Sequence, residues 1–392
     1  MSSRVLIVGA GFSGAVIARE LADAGISSLV IDQRDHIGGN CYTARDRETD
    51  IMEHVYGPHI FNTSNLEVWN YIQRFCTMGR YINRVKASTS RGIFSMPINL
   101  HTINQFFGLK LNPRTAREFL ASKADKTITD PRNFEEQALS MIGRELYETF
   151  FYGYTKKQWG CEPRELPASI LKRLPVRFNY DDSYYASTYQ GIPTDGYTPI
   201  FEQLLDHPSI EVKLETGWEG GMEAEFDYLF FTGAIDAFYQ HRFGRLGYRT
   251  VYWDKLTAEG DYQGNPVINY TELSEPYTRV HEHKHFAPWE KHDKTVVFTE
   301  FSKETEPNDT PYYPKRLTAD LVMLNKYREL AANETNVTFV GRLATYRYLD
   351  MHMVIPEALG VARDYLRWKA GASPRPVFGG ERAAAPVTAG AA

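Results

Sequence analysis

The chain is poor in cysteine, in net charge and in long apolar runs, and each shortage excludes something. Its 392 residues include three cysteines, Cys41, Cys76 and Cys161, none in C-x-x-C spacing. That excludes a zinc cluster or disulfide framework written in the sequence and makes a reducing cytosol the default compartment. Forty-four Lys and Arg stand against 49 Asp and Glu, a net charge of −5, so no basic field exists to hold nucleic acid or an anionic membrane. No stretch approaches the ~20 apolar residues of a membrane span, and glycines and charges break the opening apolar run too early for a signal peptide. Neither a G-x-S-x-G elbow nor a Walker phosphate loop occurs, which sets aside serine hydrolase and NTPase chemistry. Aromatic residues, by contrast, are abundant: 14% of the chain, with 25 Tyr, which turns attention to planar ligands and sugars.

Arg4 to Val8 is an apolar run too short for a helix. Gly9-Ala10-Gly11-Phe12-Ser13-Gly14 follows, then a helical pattern from Ala15 to Ala24 closed by Gly25, then a second short run, Ser28 to Ile31, ending at Asp32. Strand, glycine turn, helix, strand predicts a right-handed crossover opening a parallel sheet. In G-x-G-x-x-G the glycines have separate tasks: the tight turn at Gly9, close approach to a pyrophosphate at Gly11, helix-to-strand packing at Gly14. The pyrophosphate would sit at the helix N-terminus, and Asp32 would accept an adenosine ribose hydroxyl. Gly217, Gly220 and Gly221 leave no room for a second phosphate-binding helix, so no separate NADPH domain is expected.

Further along, Ser64 to Glu67 reads as a capping box starting a helix that reaches about Phe75, and Thr102 to Gln105 as another. A hairpin is predicted over Arg84 to Met96 around Thr89-Ser90-Arg91-Gly92. Helices near 114–123, 134–149 and 167–173 make 100–175 a helical insertion. Ile210 to Leu214 and Asp227 to Thr232 return to the first sheet. Arg249 to Trp253, Val267 to Thr271, Thr278 to Phe286 and Thr295 to Phe301 alternate and predict an antiparallel sheet with one working face. A helix over 318–332, a strand from Val337 to Val340, a loop from Gly341 to Leu349 and a helix from Met351 to Trp368 close the fold. Residues 370–392, rich in Ala, Gly and Pro, are expected to be a disordered tail.

The fold class is therefore α/β: a Rossmann-like parallel sheet (1–80, 185–245, 315–368), the helical insertion, a twisted antiparallel sheet (81–99, 246–314) and the tail from 369. His281, His283 and His285 would share one strand face. A metal needs a further ligand that nothing indicates, and with Arg279 on that face the reading is a polar cleft wall, with no metal.

Four motifs carry a family resemblance: His54-Val55-Tyr56-Gly57-Pro58-His59-Ile60-Phe61, Tyr152-Gly153-Tyr154-Thr155-Lys156-Lys157-Gln158-Trp159-Gly160, Pro276-Tyr277-Thr278-Arg279-Val280-His281-Glu282-His283-Lys284-His285-Phe286, and Gly341-Arg342-Leu343-Ala344-Thr345-Tyr346-Arg347-Tyr348-Leu349-Asp350-Met351. With the N-terminal glycines, they make the chain resemble the bacterial UDP-galactopyranose mutases over about residues 4–368. The Gly38-Gly39 pair after Asp32 is common in large FAD-binding folds and favours FAD over NAD. The resemblance implies a redox-neutral interconversion of UDP-galactopyranose and UDP-galactofuranose, supplying galactofuranose-containing cell-surface glycans, by a cytoplasmic homodimer whose FAD is reduced by an external donor such as NAD(P)H. The flavin N5 would attack galactose C1, UDP would depart, the adduct would open the ring as an iminium, and closure through O4 would give the five-membered ring.

By the same resemblance, Arg173 and Arg279 neutralise the diphosphate with planar forks, and Arg249 is a third candidate. Tyr154 stacks on uracil, Trp159 belongs to the mobile loop, and Tyr184, Tyr313 and Tyr348 meet the diphosphate and sugar. The adjacent Tyr185 and Tyr312 leave that register open. Phe150 and Asn83 complete the substrate set. His59 stands beside the isoalloxazine and Asp350 near flavin or galactose, both counted with Arg173, Arg279 and Tyr348 as catalytic. The cofactor set is Gly9, Gly11, Phe12, Ser13, Gly14, Asp32, Gln33, Gly39, Asn40, His59, Ile60, Val212, Gly341, Arg342, Asp350 and Met351. An FAD amine oxidase or desaturase on the same sheet is the enzymatic alternative, and a binding module without flavin the non-enzymatic one.

Overall fold

The computed structural model describes residues 4–173 and 176–380, the Lys172 and Arg173 side chains apart. The opening strand, Arg4–Val8, pairs in parallel with Ser27–Ile31 on one side and Tyr228–Phe231 on the other. Ile210–Lys213 and Val337–Phe339 extend the sheet to five strands. Successive side chains of a strand alternate between faces. Val5, Ile7, Val30 and Phe230 enter the core under helices Phe12–Asp23 and Met351–Lys369, while Leu6, Leu29, Leu229 and Phe231 enter the core under helix Thr318–Asn333. Covering both faces is what makes these short runs apolar throughout.

The second sheet has seven strands, in the order Tyr313–Pro314, Tyr248–Glu259, Lys294–Glu304, Arg279–Glu282, Val267–Tyr270, Val85–Thr89, Gly92–Met96. The expected hairpin supplies its last two strands, paired antiparallel. One joint is parallel, Val267–Tyr270 on Val85–Thr89. A small sheet of Phe61–Thr63, Tyr189–Pro193 and Met78–Arg80 was not expected, since strands of three to five residues are too short to show a period.

Other expectations need correction. The first predicted capping box is displaced by one residue: Asn65 caps helix Leu66–Ile72, accepting from the Glu67 and Val68 N–H groups. Thr102 caps nothing. It is buried inside helix Leu100–Phe107, whose N-cap is Asn99. The helix expected over 134–149 is interrupted at Gly143, at φ +77° and ψ 172°, and after Tyr147 passes into a π turn, Glu148–Tyr152, before helix Gly153–Trp159 begins. The segment 167–173 is a 3-10 helix, Ala168–Arg173. The loop expected from Gly341 opens with a short helix, Gly341–Ala344.

The three histidines do not share a strand face. The strand ends at Glu282, and His283–Phe286 is a 3-10 turn, with His281 and His283 fully buried and His285 near the surface beside Asp261 and Glu282. Among the described residues no helix is long and apolar enough to cross a membrane.

The tail is ordered at its start. Arg375 donates to the carbonyls of Val337 and Glu334, the Phe339 N–H donates to the Val377 carbonyl at 2.9 Å, and the Gly379 N–H donates to the Phe339 carbonyl at 2.8 Å. Phe378 is buried against Phe339. A composition rule misses a segment so short because a single aromatic residue and an open sheet edge are enough to hold it. Residues 381–392 of the expected tail lie outside the described residues. Phe378→Ala should lower the unfolding free energy by about 3 kcal/mol, read as a lower urea midpoint. An unchanged midpoint would mean that the segment is not packed.

Candidate active site

The glycine turn is shaped by what a side chain would strike. Gly9 has φ +105°, and a Cβ there would lie 2.0 Å from Thr232 Oγ1, while a Cβ on Gly14 would lie 1.9 Å from the Gly9 carbonyl oxygen. Those contacts let helix Phe12–Asp23 start directly against the strand end, with Gly11 as N-cap. Gly11 faces Gly39 across a narrow gap: a Cβ on Gly11 would lie 3.8 Å from the Gly39 Cα, and the Gly38 N–H donates to the Ala10 carbonyl. The second glycine pair thus closes on the first. Asp32 accepts from the Ala10 and Arg34 N–H groups at 2.8 and 3.0 Å, which fixes its carboxylate at the end of the second strand.

From this turn one cavity of about 1540 Å³ runs along the C-terminal ends of the parallel strands and into the cleft against the seven-stranded sheet. That is where ligands bind in such sheets, and the volume exceeds the roughly 300–1,000 Å³ of a pocket for one small ligand. The structure brings most of the expected residues to its walls: Gly9, Gly11, Phe12, Ser13, Asp32, Gln33, Gly39, Asn40, His59, Ile60, Gly341, Arg342, Asp350 and Met351 toward the glycine turn, and Tyr154, Trp159, Tyr184, Arg279, Tyr313 and Tyr348 toward the sheet.

Five do not line it. Gly14 serves helix packing, and Val212 packs on the core from the edge strand. Phe150 is buried edge-on to Phe94. Asn83 is buried behind the wall, its carbonyl accepting from the Tyr184 N–H at 2.8 Å. Arg249 is spent elsewhere: Nε donates to the Gln158 carbonyl at 3.0 Å and Nη1 pairs with Glu304 at 2.8 Å, so it caps the end of helix Gly153–Trp159. The Arg173 side chain falls outside the described residues.

Arg279 meets Glu300 on the neighbouring strand, Nε donating at 2.9 Å and Nη2 at 2.6 Å. The two are cross-strand partners in the register. Burial works against the guanidinium charge and Glu300 outweighs it, so Arg279 stays charged. Nη1 is the nitrogen that this carboxylate does not engage. Glu300, which also lines the cavity, is a site residue that reading the sequence missed. Its signal is pairing register, which alternation within one strand cannot supply. Tyr313 stacks on Tyr348 at 5.5 Å and 13°, with Trp159 at 6.3 Å, and Arg342 lies over the Tyr348 ring at 5.1 Å. Tyr312 also borders the cavity, with its ring largely buried edge-on to Trp253. Tyr184 and Tyr185 meet edge to face, and both border the cavity. Burial raises the phenols of Tyr154, Tyr184 and Tyr185, which remain protonated donors.

Also lining the cavity, His59 has its Nδ1 donating to the Gly57 carbonyl at 2.7 Å, since a carbonyl can only accept. Burial pulls its pKa down to about 4, so the ring is neutral and Nε2 is an acceptor. Behind it His54 Nδ1 accepts from the His59 N–H, and His283 Nδ1 accepts from the His54 N–H.

Residues 149–348 match the family model of UDP-galactopyranose mutases, and residues 7–75 that of NAD(P)-binding Rossmann-like domains. A probable UDP-galactopyranose mutase of Klebsiella pneumoniae is 53% identical over 377 residues, 96% of this chain and 98% of that one. The chain belongs to the UDP-galactopyranose mutase family. A dTDP-fucopyranose mutase of Escherichia coli is equally similar, 53% over 372 residues, 93% of this chain and 99% of that protein. The crystal structure of a reduced UDP-galactopyranose mutase has the same fold, with TM-score 0.74 at 16% identity over 94% of this chain and 96% of that chain. Likeness to the flavin-containing amine oxidase B of Sus scrofa, 36%, is confined to 67 residues, 17% of this chain and 13% of the oxidase. Membership of the mutase family, together with this stretch, supports a flavin as the cofactor.

The buried histidines give a pH prediction. Burial holds His59 near 4 and His283 near 3, against an ordinary 6.5. Between those values and 6.5 the unfolded chain binds protons that the folded chain refuses, so stability falls on acidification through that window and returns as pH rises. His283→Gln should flatten the slope of unfolding free energy against pH there by about 1.4 kcal/mol per pH unit, measured by urea titration. Identical slopes would show that His283 is not held neutral.

Proposed function

We propose that this chain interconverts UDP-galactopyranose and UDP-galactofuranose with FAD as cofactor, active in its reduced form. The observation that carries this reading is a single cavity joining a dinucleotide turn to a charged arginine set among tyrosines. The residues fit FAD: a helix N-terminus free of side chains at Gly11, a carboxylate fixed at Asp32, and Gly11 and Gly39 packed together with no side chain to cover their backbone where it borders the cavity. Reduced FAD, when bound, supplies the nucleophile for the anomeric carbon, with no net electron transfer.

The chain's own residues do the rest. Tyr154 offers a ring for uracil, and Arg279 Nη1 donates to the departing diphosphate while Glu300 holds the guanidinium still, with Arg173 as the second cation. Tyr184, Tyr313 and Tyr348 donate to phosphate or sugar oxygens. His59 Nε2 accepts a hydrogen bond on the flavin side, and Asp350, at the N-cap position of helix Met351–Lys369 with no capping bond from its side chain, borders the same cavity. A preorganised cation in a cleft shielded from water stabilises leaving-group charge more than water can. The enzyme would be a cytosolic homodimer fed by an external reductant such as NAD(P)H, and its product a precursor of galactofuranose glycans.

A second reading rests on the equally similar dTDP-fucopyranose mutase: the same ring contraction on a dTDP-linked 6-deoxy sugar. Chromatographic conversion assays with both nucleotide sugars, with and without dithionite, decide between them. Turnover of the UDP-galactose pair is expected only after reduction. Equal turnover by oxidised enzyme would sink the proposal, and preference for the dTDP sugar would establish the second reading. Arg279→Lys keeps a charge for Glu300 but loses the fork, so turnover should fall about a hundredfold, roughly 3 kcal/mol, with flavin content unchanged. Wild-type rates in that variant would remove Arg279 from the diphosphate site.

A further inference from the structure

Helix Gly153–Trp159 carries Tyr154 and Trp159 into the cavity, and its opposite side rests on the loop between strands Val267–Tyr270 and Arg279–Glu282. Two residues four apart make that contact. Gly153 lies so close that a Cβ would stand 2.2 Å from the Thr271 carbonyl oxygen. One turn later, Lys157 Nζ donates to the carbonyls of Tyr270, Glu272, Glu275 and Tyr277 at 2.9, 2.7, 2.9 and 2.8 Å.

An ammonium has three N–H bonds, yet four oxygens surround it at nearly equal distance. Such a cage coordinates a point charge, in the way rings of carbonyls hold a potassium ion, and directed hydrogen bonds alone do not account for it. Removing the charge leaves four carbonyl dipoles converging on an empty centre. The same loop leads into Arg279, two residues past Tyr277.

We propose that Lys157 is a positioning residue: its ammonium is the resident monovalent cation of a four-carbonyl cage, and it sets the distance between the aromatic wall at Tyr154 and the guanidinium of Arg279. Lys157 does not line the cavity itself, so its effect is felt through those two residues. The inference rests on the reading of both as substrate-facing.

The test uses the full-length holoenzyme. Lys157→Ala should raise KM for UDP-galactofuranose and the dissociation constant of UDP by about tenfold or more, with a smaller change in kcat and with flavin retained. Ammonium chloride or methylammonium chloride should restore much of the loss, and sodium chloride at equal ionic strength should not. Unchanged KM and UDP affinity, or a loss that ammonium repairs no better than sodium, would overturn the proposal. Should Lys157→Ala fail to fold, Lys157→Met keeps the chain length without the charge. It should show the same rise in KM, together with faster amide hydrogen exchange over residues 271–278. If the wild type turns over neither nucleotide sugar, the functional reading fails on its own. The cage is then judged by exchange alone, and equal rates over 271–278 in wild type and Lys157→Met would refute it.

Discussion

Placing a guanidinium in an aromatic wall costs several kcal/mol of lost solvation unless a carboxylate with two oxygens meets it. Glu300 does so for Arg279, and the chemistry argued for the cleft depends on that pair. Because the two are cross-strand neighbours, the register of the sheet sets where the positive charge stands. The Thr278 hydroxyl donates to Glu300 at 2.8 Å, which leaves the carboxylate little freedom to follow its partner outward. A cation held from behind offers its remaining edge forward. Such an arrangement suits a diphosphate that must be released and recaptured, because a mobile arginine would have to be reordered on each return.

The surroundings of His59 follow another principle. His59, His54 and His283 lie in a buried chain in which every Nδ1 has a defined partner, and burial keeps the imidazoles uncharged. His59 therefore offers the cleft a neutral acceptor, where Arg279 offers fixed charge, and Arg342 and Asp350 bring further charge to the cavity near His59.

Much of this was legible in the sequence where a requirement is local. Gly9, Gly14 and Asp32 are dictated within one crossover, and the hairpin around Arg91-Gly92 is dictated by its turn. The wall residues Tyr154 and Tyr348 were marked by long motifs, whereas Tyr313 stood beside Tyr312 with the register open. What escaped reading is what depends on pairing or approach across the chain. Glu300 is invisible until the register is known. Arg249 was a third candidate for the diphosphate, yet it is held by carbonyls at a helix end about ninety residues earlier and by Glu304. His283 alternates as a strand residue would, but the chain turns there so that the ring can face His54. The break at Gly143 and the docking of Phe378 likewise answer to neighbours and not to local period.

The opening strand adds a constraint on synthesis. Arg4 bonds to Asp227, 223 positions away, and the central strand of the parallel sheet has only Ser27–Ile31 beside it until Tyr228–Phe231 has left the ribosome. During that interval Leu6 and Leu29 present an apolar face whose cover, helix Thr318–Asn333, arrives later still. Non-local pairing of this kind slows folding and exposes sticky intermediates. Heterologous yield should therefore respond to translation rate and chaperone supply more than to the stability of the finished protein.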